Sequence, residues 1–113
     1  MIFAVDTDDM SLLLFDSAEE AVAHCEGIDV EKGCWLFWED FGQALEPEWL
    51  TPNFHSPFVV GSGKYQLAPA PQRPTLLQVL PEICLIQGNL AFPTIAAVEA
   101  HLAKAVSVQQ HGA

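Results

Sequence analysis

The chain opens as short apolar blocks set between acidic turns. Ile2 to Val5 is apolar, Asp6-Thr7-Asp8-Asp9 is not, and Ser11 to Phe15 is apolar again. Blocks of this length with β-branched and aromatic members predict two strands of a hairpin. The pattern then changes period. Asp16 or Ser17 can cap a helix, with Glu19 or Glu20 three residues on to close a capping box. Ala18, Ala21, Val22 and Cys25 fall near one face of that helix, and Gly27 ends it. Ile28 to Glu31 reads as a short extended piece. Cys34 to Glu39 reads as a strand, with Trp35 and Phe37 on one face and Leu36 and Trp38 on the other. Asp40-Phe41-Gly42 is a turn, and Gln43 to Leu45 starts a return strand that Pro47 ends or confines to an edge.

The second half is more broken. Pro52 and Pro57 interrupt Leu50 to Pro57, which reads as loop. Pro57 to Val60 and Lys64 to Leu67 are two short β candidates across a hairpin turn at Gly61-Ser62-Gly63. Ala68 to Pro74 is a Pro-rich extended connector. Thr75 caps a short helix that stops near Pro81, and Ile83 to Ile86 fits either a strand or a helix end. Ile95, Val98, Leu102 and Ala105 recur at helical spacing, predicting a helix over Thr94 to Val106 with a flexible tail over 107–113. The order predicts one α+β domain over 1–113: a small antiparallel sheet with two to three helices packed on one face.

Charge narrows the partners. The chain has 15 acidic and 4 basic side chains, a formal charge of −11. Thirteen of the acids, with Lys32 as sole base, precede residue 50, so the first half nets −12 and the second +1. Nucleic acid and anionic membranes are poor partners for such a surface. A field segregated in this way attracts a basic partner and speeds its encounter. Met1 to Val5 lacks a basic flank, so no signal peptide is expected. No apolar run reaches the roughly 18 residues of a membrane span. Cys25, Cys34 and Cys84 are odd in number and far apart, which argues against a disulfide framework and for a reducing cytoplasm.

Motifs with chemistry do not hold together. Asp6-Thr7-Asp8 after a strand looks like a haloacid-dehalogenase-type nucleophile loop, but the acids after residue 50, Glu82 and Glu99, stand alone. As an EF-hand the same stretch puts Met10, Ser11 and Ser17 where a ligand, a Gly and a Glu belong. Gly63-Lys64 lacks the Gly and the hydroxyl of a phosphate loop, because Phe58 and Tyr65 stand there. A zinc site would have to gather His55, Cys84 and His101 from scattered positions. No local feature activates a thiol. No catalytic residue, metal or cofactor is expected, and the chain is read as a non-enzyme.

The aromatic residues are more informative. Trp35, Phe37, Trp38, Phe41, Trp49, Phe54 and Phe58 crowd one stretch, with Glu39, Asp40, Glu46 and Glu48 among them. Large rings on both parities of one strand require either that both faces be covered or that one face an interface. Trp38, Phe41 and Trp49 are the candidate anchors.

This segment also resembles a known family. Phe15-Asp16-Ser17-Ala18-Glu19-Glu20-Ala21-Val22, then Glu26-Gly27-Ile28-Asp29-Val30-Glu31-x-Gly33, then Trp35-Leu36-Phe37-Trp38-Glu39-Asp40-x-Gly42-x-x-Leu45 resembles bacterial polymorphic-toxin immunity proteins. These are cytoplasmic antidotes to toxins of contact-dependent or type VI secretion systems. The resemblance covers about residues 14 to 45. It implies tight binding to a cognate toxin domain and occlusion of its active site. A basic cleft would be met by Asp8, Asp9, Glu39, Asp40, Glu46 and Glu48, with Trp38, Phe41 and Trp49 as anchors. The alternative is a small acidic adaptor or homodimeric interaction module with no toxin partner.

Overall fold

A computed structural model describes residues 1–58 and 60–111, the last of these, after Ala105, as backbone only. Its elements run β1 (Ile2–Asp6), β2 (Ser11–Phe15), α1 (Ala18–His24), α2 (Gly27–Glu31), β3 (Trp35–Glu39), β4 (Ala44–Thr51), β5 (Phe54–His55), β6 (Val60–Gly61), β7 (Lys64–Pro69), α3 (Leu76–Val79), a 3-10 turn (Leu80–Glu82), β8 (Leu85–Gln87) and α4 (Ile95–His111). The class is α+β, as the sequence predicts. Six strands form one sheet in the order β7-β4-β3-β1-β2-β8, antiparallel except where β8 lies parallel to β2. β5 and β6 make a separate two-stranded ribbon.

The helices divide between the two faces of the sheet rather than sharing one. Phe3, Val5, Leu12 and Trp38 point to the side where Leu76, Leu80, Val98 and Leu102 of α3, the 3-10 turn and α4 cover them. Ile2, Ala4, Phe37 and Leu45 point to the opposite side, against Ala21 and Cys25 at α1 and Val30 of α2. This is why aromatics occupy both parities of β3: alternate side chains enter two different cores. Trp38 is only 3% exposed, and its indole N–H donates to the Pro74 carbonyl at 2.9 Å. It is a core residue and not a surface anchor.

Local signals explain the first elements. Ser17 caps α1, its hydroxyl accepting from the Glu20 amide at 3.1 Å, and Glu20 Oε2 reaches back to the Asp16 amide at 3.3 Å. Thr75 and Gln78 close a full capping box at the start of α3. Ile28 to Glu31, expected to be extended, is instead the helix α2. Burial of Ile28 and Val30 outweighs the weak helix preference of β-branched residues.

The largest departure lies at β4. It runs eight residues, straight through Pro47. Pairing with β3 stops after Phe37↔Leu45 and Trp38↔Ala44, so Pro47 lies where β4 keeps one neighbour, β7. A missing N–H is tolerated at such an edge. β6 and β7 are both strands but do not pair with each other across Gly61-Ser62-Gly63. β7 pairs with β4, and β5 with β6. The expected strand Pro57 to Val60 includes Val59, which lies outside the described residues. The outcome is a long β4–β7 hairpin carrying the β5–β6 ribbon at its tip, here called the arm. α4 extends to His111, and Gly112 and Ala113 of the expected tail lie outside the described residues.

Candidate functional site

Strand directions decide which of the nine expected contact residues meet. β1 runs toward the end of the sheet where Asp6 pairs with Trp35, and β3 runs back to Glu39 beside Ile2. Asp8 and Asp9, just past β1, therefore lie at one end, and Glu39, Asp40 and Phe41 at the other. β4 then returns toward the first end, carrying Glu48 and Trp49 with it. The expected set forms no single face.

At the β3–β4 turn the acids mostly hold the backbone. Glu39 Oε1 accepts from the Phe41 and Gln43 amides at 2.8 and 3.0 Å. Gly42 follows with φ of 92°, a left-handed turn conformation in which L side chains are strained. His101 of α4 sits 2.8 Å from the Asp40 carbonyl and 3.5 Å from its carboxylate. Phe41 stacks on the same imidazole, with ring centroids 6.2 Å apart. Phe41 remains 54% exposed, but its placement is that of a turn clamped to α4. On the β1–β2 turn, Asp9 Oδ1 accepts from both the amide and the hydroxyl of Ser11, while its residue and Asp8 stay exposed. Glu46 lies 3.5 Å from Arg73, and Glu48 accepts from Gln66 across the β4–β7 ladder at 2.7 Å.

The arm is different. Trp49 (38% exposed), Leu50, Phe54, Phe58 (96% exposed) and Val60 all present apolar surface on this one excursion. The junction of hairpin and ribbon, here called the arm root, is hydrogen-bonded to α2. Asn53 Nδ2 donates to the Gly27 carbonyl at 3.1 Å and to Glu31, while Asn53 Oδ1 accepts from the Gly63 amide at 2.7 Å. Ser62 Oγ accepts from the Ile28 amide at 3.2 Å. His55 Nε2 lies 2.9 and 3.1 Å from the two oxygens of Glu31. Hydrogen bonds from Asn53 and then His55 hold the Glu31 carboxyl below the usual glutamate range. Trp49 leans on Tyr65 with centroids 5.4 Å apart, and the Tyr65 hydroxyl donates to the Cys25 carbonyl at 2.5 Å.

Two glycines permit this docking. A Cβ on Gly27 would lie 2.7 Å from Asn53 Oδ1 and 3.3 Å from the Trp49 ring. One on Gly63 would lie 2.2 Å from the Thr51 carbonyl oxygen. Between the arm and α2 remains an open groove of about 440 Å³, lined by Glu31, Trp49, Leu50, Thr51, Pro52, Asn53 and His55.

Sequence reasoning named Trp49 as an anchor and His55 only as a member of a scattered zinc set, and did not join either to Asn53 and the distant Glu31, a combination that matches no motif. Burial pushes the Cys25 thiol up to about 12, with Asp6 and Asp29 adding to the shift. Burial also raises Cys34. Among the described residues no three His, Cys, Asp or Glu side chains gather as a metal site. Nor is any described helix long and apolar enough to cross a membrane. Comparison with family models, curated proteins and solved structures gave no significant match.

Proposed function

We propose that this chain is a non-catalytic cytoplasmic protein that binds a basic domain of another protein and blocks it, as an immunity protein does with a toxin. One observation carries the reading: the arm exposes Trp49, Leu50, Phe54, Phe58 and Val60 within one excursion of the chain, with Glu31 beside Trp49 and Leu50 in the groove. Several large apolar side chains exposed on one excursion mark an interaction site more often than they serve any need of a monomer. Phe58 and Val60 make little contact with the core, so their apolar surface gains nothing for folding. It becomes favourable only when a partner covers it.

The net charge of −11 would speed encounter with a cationic cleft, while the arm would supply the contacts that hold. The acids at the β3–β4 turn add to the long-range field rather than to the contact, because Glu39 is committed to its own backbone. The test is co-purification of the chain with the product of the adjacent gene, repeated with Phe54→Ser and Phe58→Ser together. Capture by the native chain and loss in the double variant, with its melting temperature unchanged, is the expected result. Undiminished capture by the double variant would remove the arm from the interface. An association rate indifferent to salt would remove the electrostatic part.

The same arm suits a second reading, a self-associating module. A concentration-dependent dimer in sedimentation, abolished by the same two substitutions, would replace the toxin partner with a second copy.

A further inference from the structure

This inference rests on the reading of the chain as a binder of a basic protein, and gives that partner a chemical feature. We propose that the groove between the arm and α2 receives an arginine side chain of the partner, its guanidinium against the Glu31 carboxylate and its plane against Trp49.

The groove holds what such a side chain needs. Glu31 supplies a carboxylate oriented by a hydrogen bond from Asn53, with His55 within hydrogen-bond distance of both oxygens. A carboxylate offers about four acceptor positions. Asn53 and His55 take three of them, leaving one on Oε1 for an incoming N–H. Among the described residues the ion-pair partner of Glu31 is His55, and no Lys or Arg occupies it. The His55 and Glu31 side chains are 54% and 46% exposed, so their pairing lies in water and resists displacement weakly.

Trp49 supplies the wall. The indole is the best aromatic partner for a cation, and guanidinium is the cation that stacks on it most often. Leu50 and Pro52 complete an apolar lining along which the methylene stem can lie. Arginine is favoured over lysine because a planar cation can touch the ring and the carboxylate at once, whereas an ammonium makes point contacts. The segregated charge of the first half adds a long-range preference for any cationic residue.

The experiment is an NMR titration of the full chain with acetyl-Gly-Arg-Gly-amide, following the indole N–H signals of the three tryptophans. The matched peptide carries citrulline, which has the same shape and no charge. The Trp49 signal is expected to shift and saturate with the arginine peptide, at least tenfold more weakly with citrulline. Glu31→Gln, which keeps an oxygen to accept from Asn53, is expected to abolish the difference between the two peptides. Should that variant fail to fold, Trp49→Leu, followed in both proteins by the backbone amide signals of Thr51 and Asn53 in the groove, keeps the apolar wall and should weaken arginine binding by about threefold, the size of an exposed cation–π contact.

A shift that does not saturate, or that is equal for arginine and citrulline, overturns the proposal. So does an unchanged preference for arginine in Glu31→Gln or, where that variant does not fold, unchanged arginine affinity in Trp49→Leu. The two readings fail separately. Partner capture that needs Phe54 and Phe58, from a chain whose groove ignores the arginine peptide, ends this inference alone. Arginine binding in the groove, from a chain whose partner ignores the arm, ends the arm reading alone.

Discussion

Replacing Gly27 by alanine sets two effects of opposite sign against each other, and the geometry decides between them. Gly27 opens α2, where alanine is the better helix former by up to about 1 kcal/mol, and by less at the first position of a five-residue helix. Against this, the new methyl group would sit 2.7 Å from Asn53 Oδ1, 3.2 Å from the Gly63 carbonyl and 3.3 Å from the Trp49 ring. Asn53 is a short side chain and would ordinarily swing away, but here it is tied to the Gly27 carbonyl, to Glu31 and to the Gly63 amide. Yielding means breaking at least one or two of these bonds, each worth about 0.5–1.5 kcal/mol. Overpacking of this kind costs about 1–3 kcal/mol in well-packed sites. The net expectation for Gly27→Ala is destabilisation by about 1–2 kcal/mol. Urea denaturation followed by far-UV circular dichroism measures it. Because the strain falls on the arm root, the amide signals of residues 49–63 should move while those of β1 and β2 stay put. A variant as stable as the native chain, with an unmoved Trp49 indole signal, would refute the view that the arm is clamped to α2.

Other outcomes follow from the same geometry. Tyr65→Phe leaves the Cys25 carbonyl without its buried donor and should cost about 1–2 kcal/mol, seen as a lower urea midpoint at unchanged slope. The Glu31 carboxyl is depressed in the folded state, so its contribution is present above the ordinary glutamate value of about 4.3 and fades as pH falls through the folded value. The stability gap between the native chain and Glu31→Gln should therefore close on acidification from pH 6 to pH 3, and a gap independent of pH would contradict the assignment. Cys84 is exposed and should react with a thiol reagent at once, whereas Cys25, buried and with its thiol pushed up to about 12, should react only on unfolding. Equal native-state rates at the two thiols would contradict the burial of Cys25.

What could be read in the sequence was what local chemistry specifies. The β1–β2 hairpin, the Ser17 cap, the Thr75 cap and the parity of β3 each rest on a few adjacent residues, and each is present. α2 was misread because Ile28 and Val30 carry a strand preference that only tertiary burial overrides. The arm was missed because Pro47, Pro52 and Pro57 look like breakers along the chain. Their tolerance depends on where β3 stops pairing with β4, which no neighbouring residue announces. The groove was illegible for a related reason. Asn53 lies 22 residues and His55 24 residues from Glu31, and a carboxamide, an imidazole and a carboxylate at such separations form no pattern until the arm folds back.

β1 lies between β2 and β3, and Phe3 shares its core with Val98 and Leu102 of α4, the described element most distant from it along the sequence. Until α4 has been made, a growing chain therefore carries a sheet face only partly clothed by α3 and the 3-10 turn. Slow decoding before α4, or truncation that removes it, would leave a sticky intermediate, a hazard typical of topologies whose contacts join distant parts of the sequence.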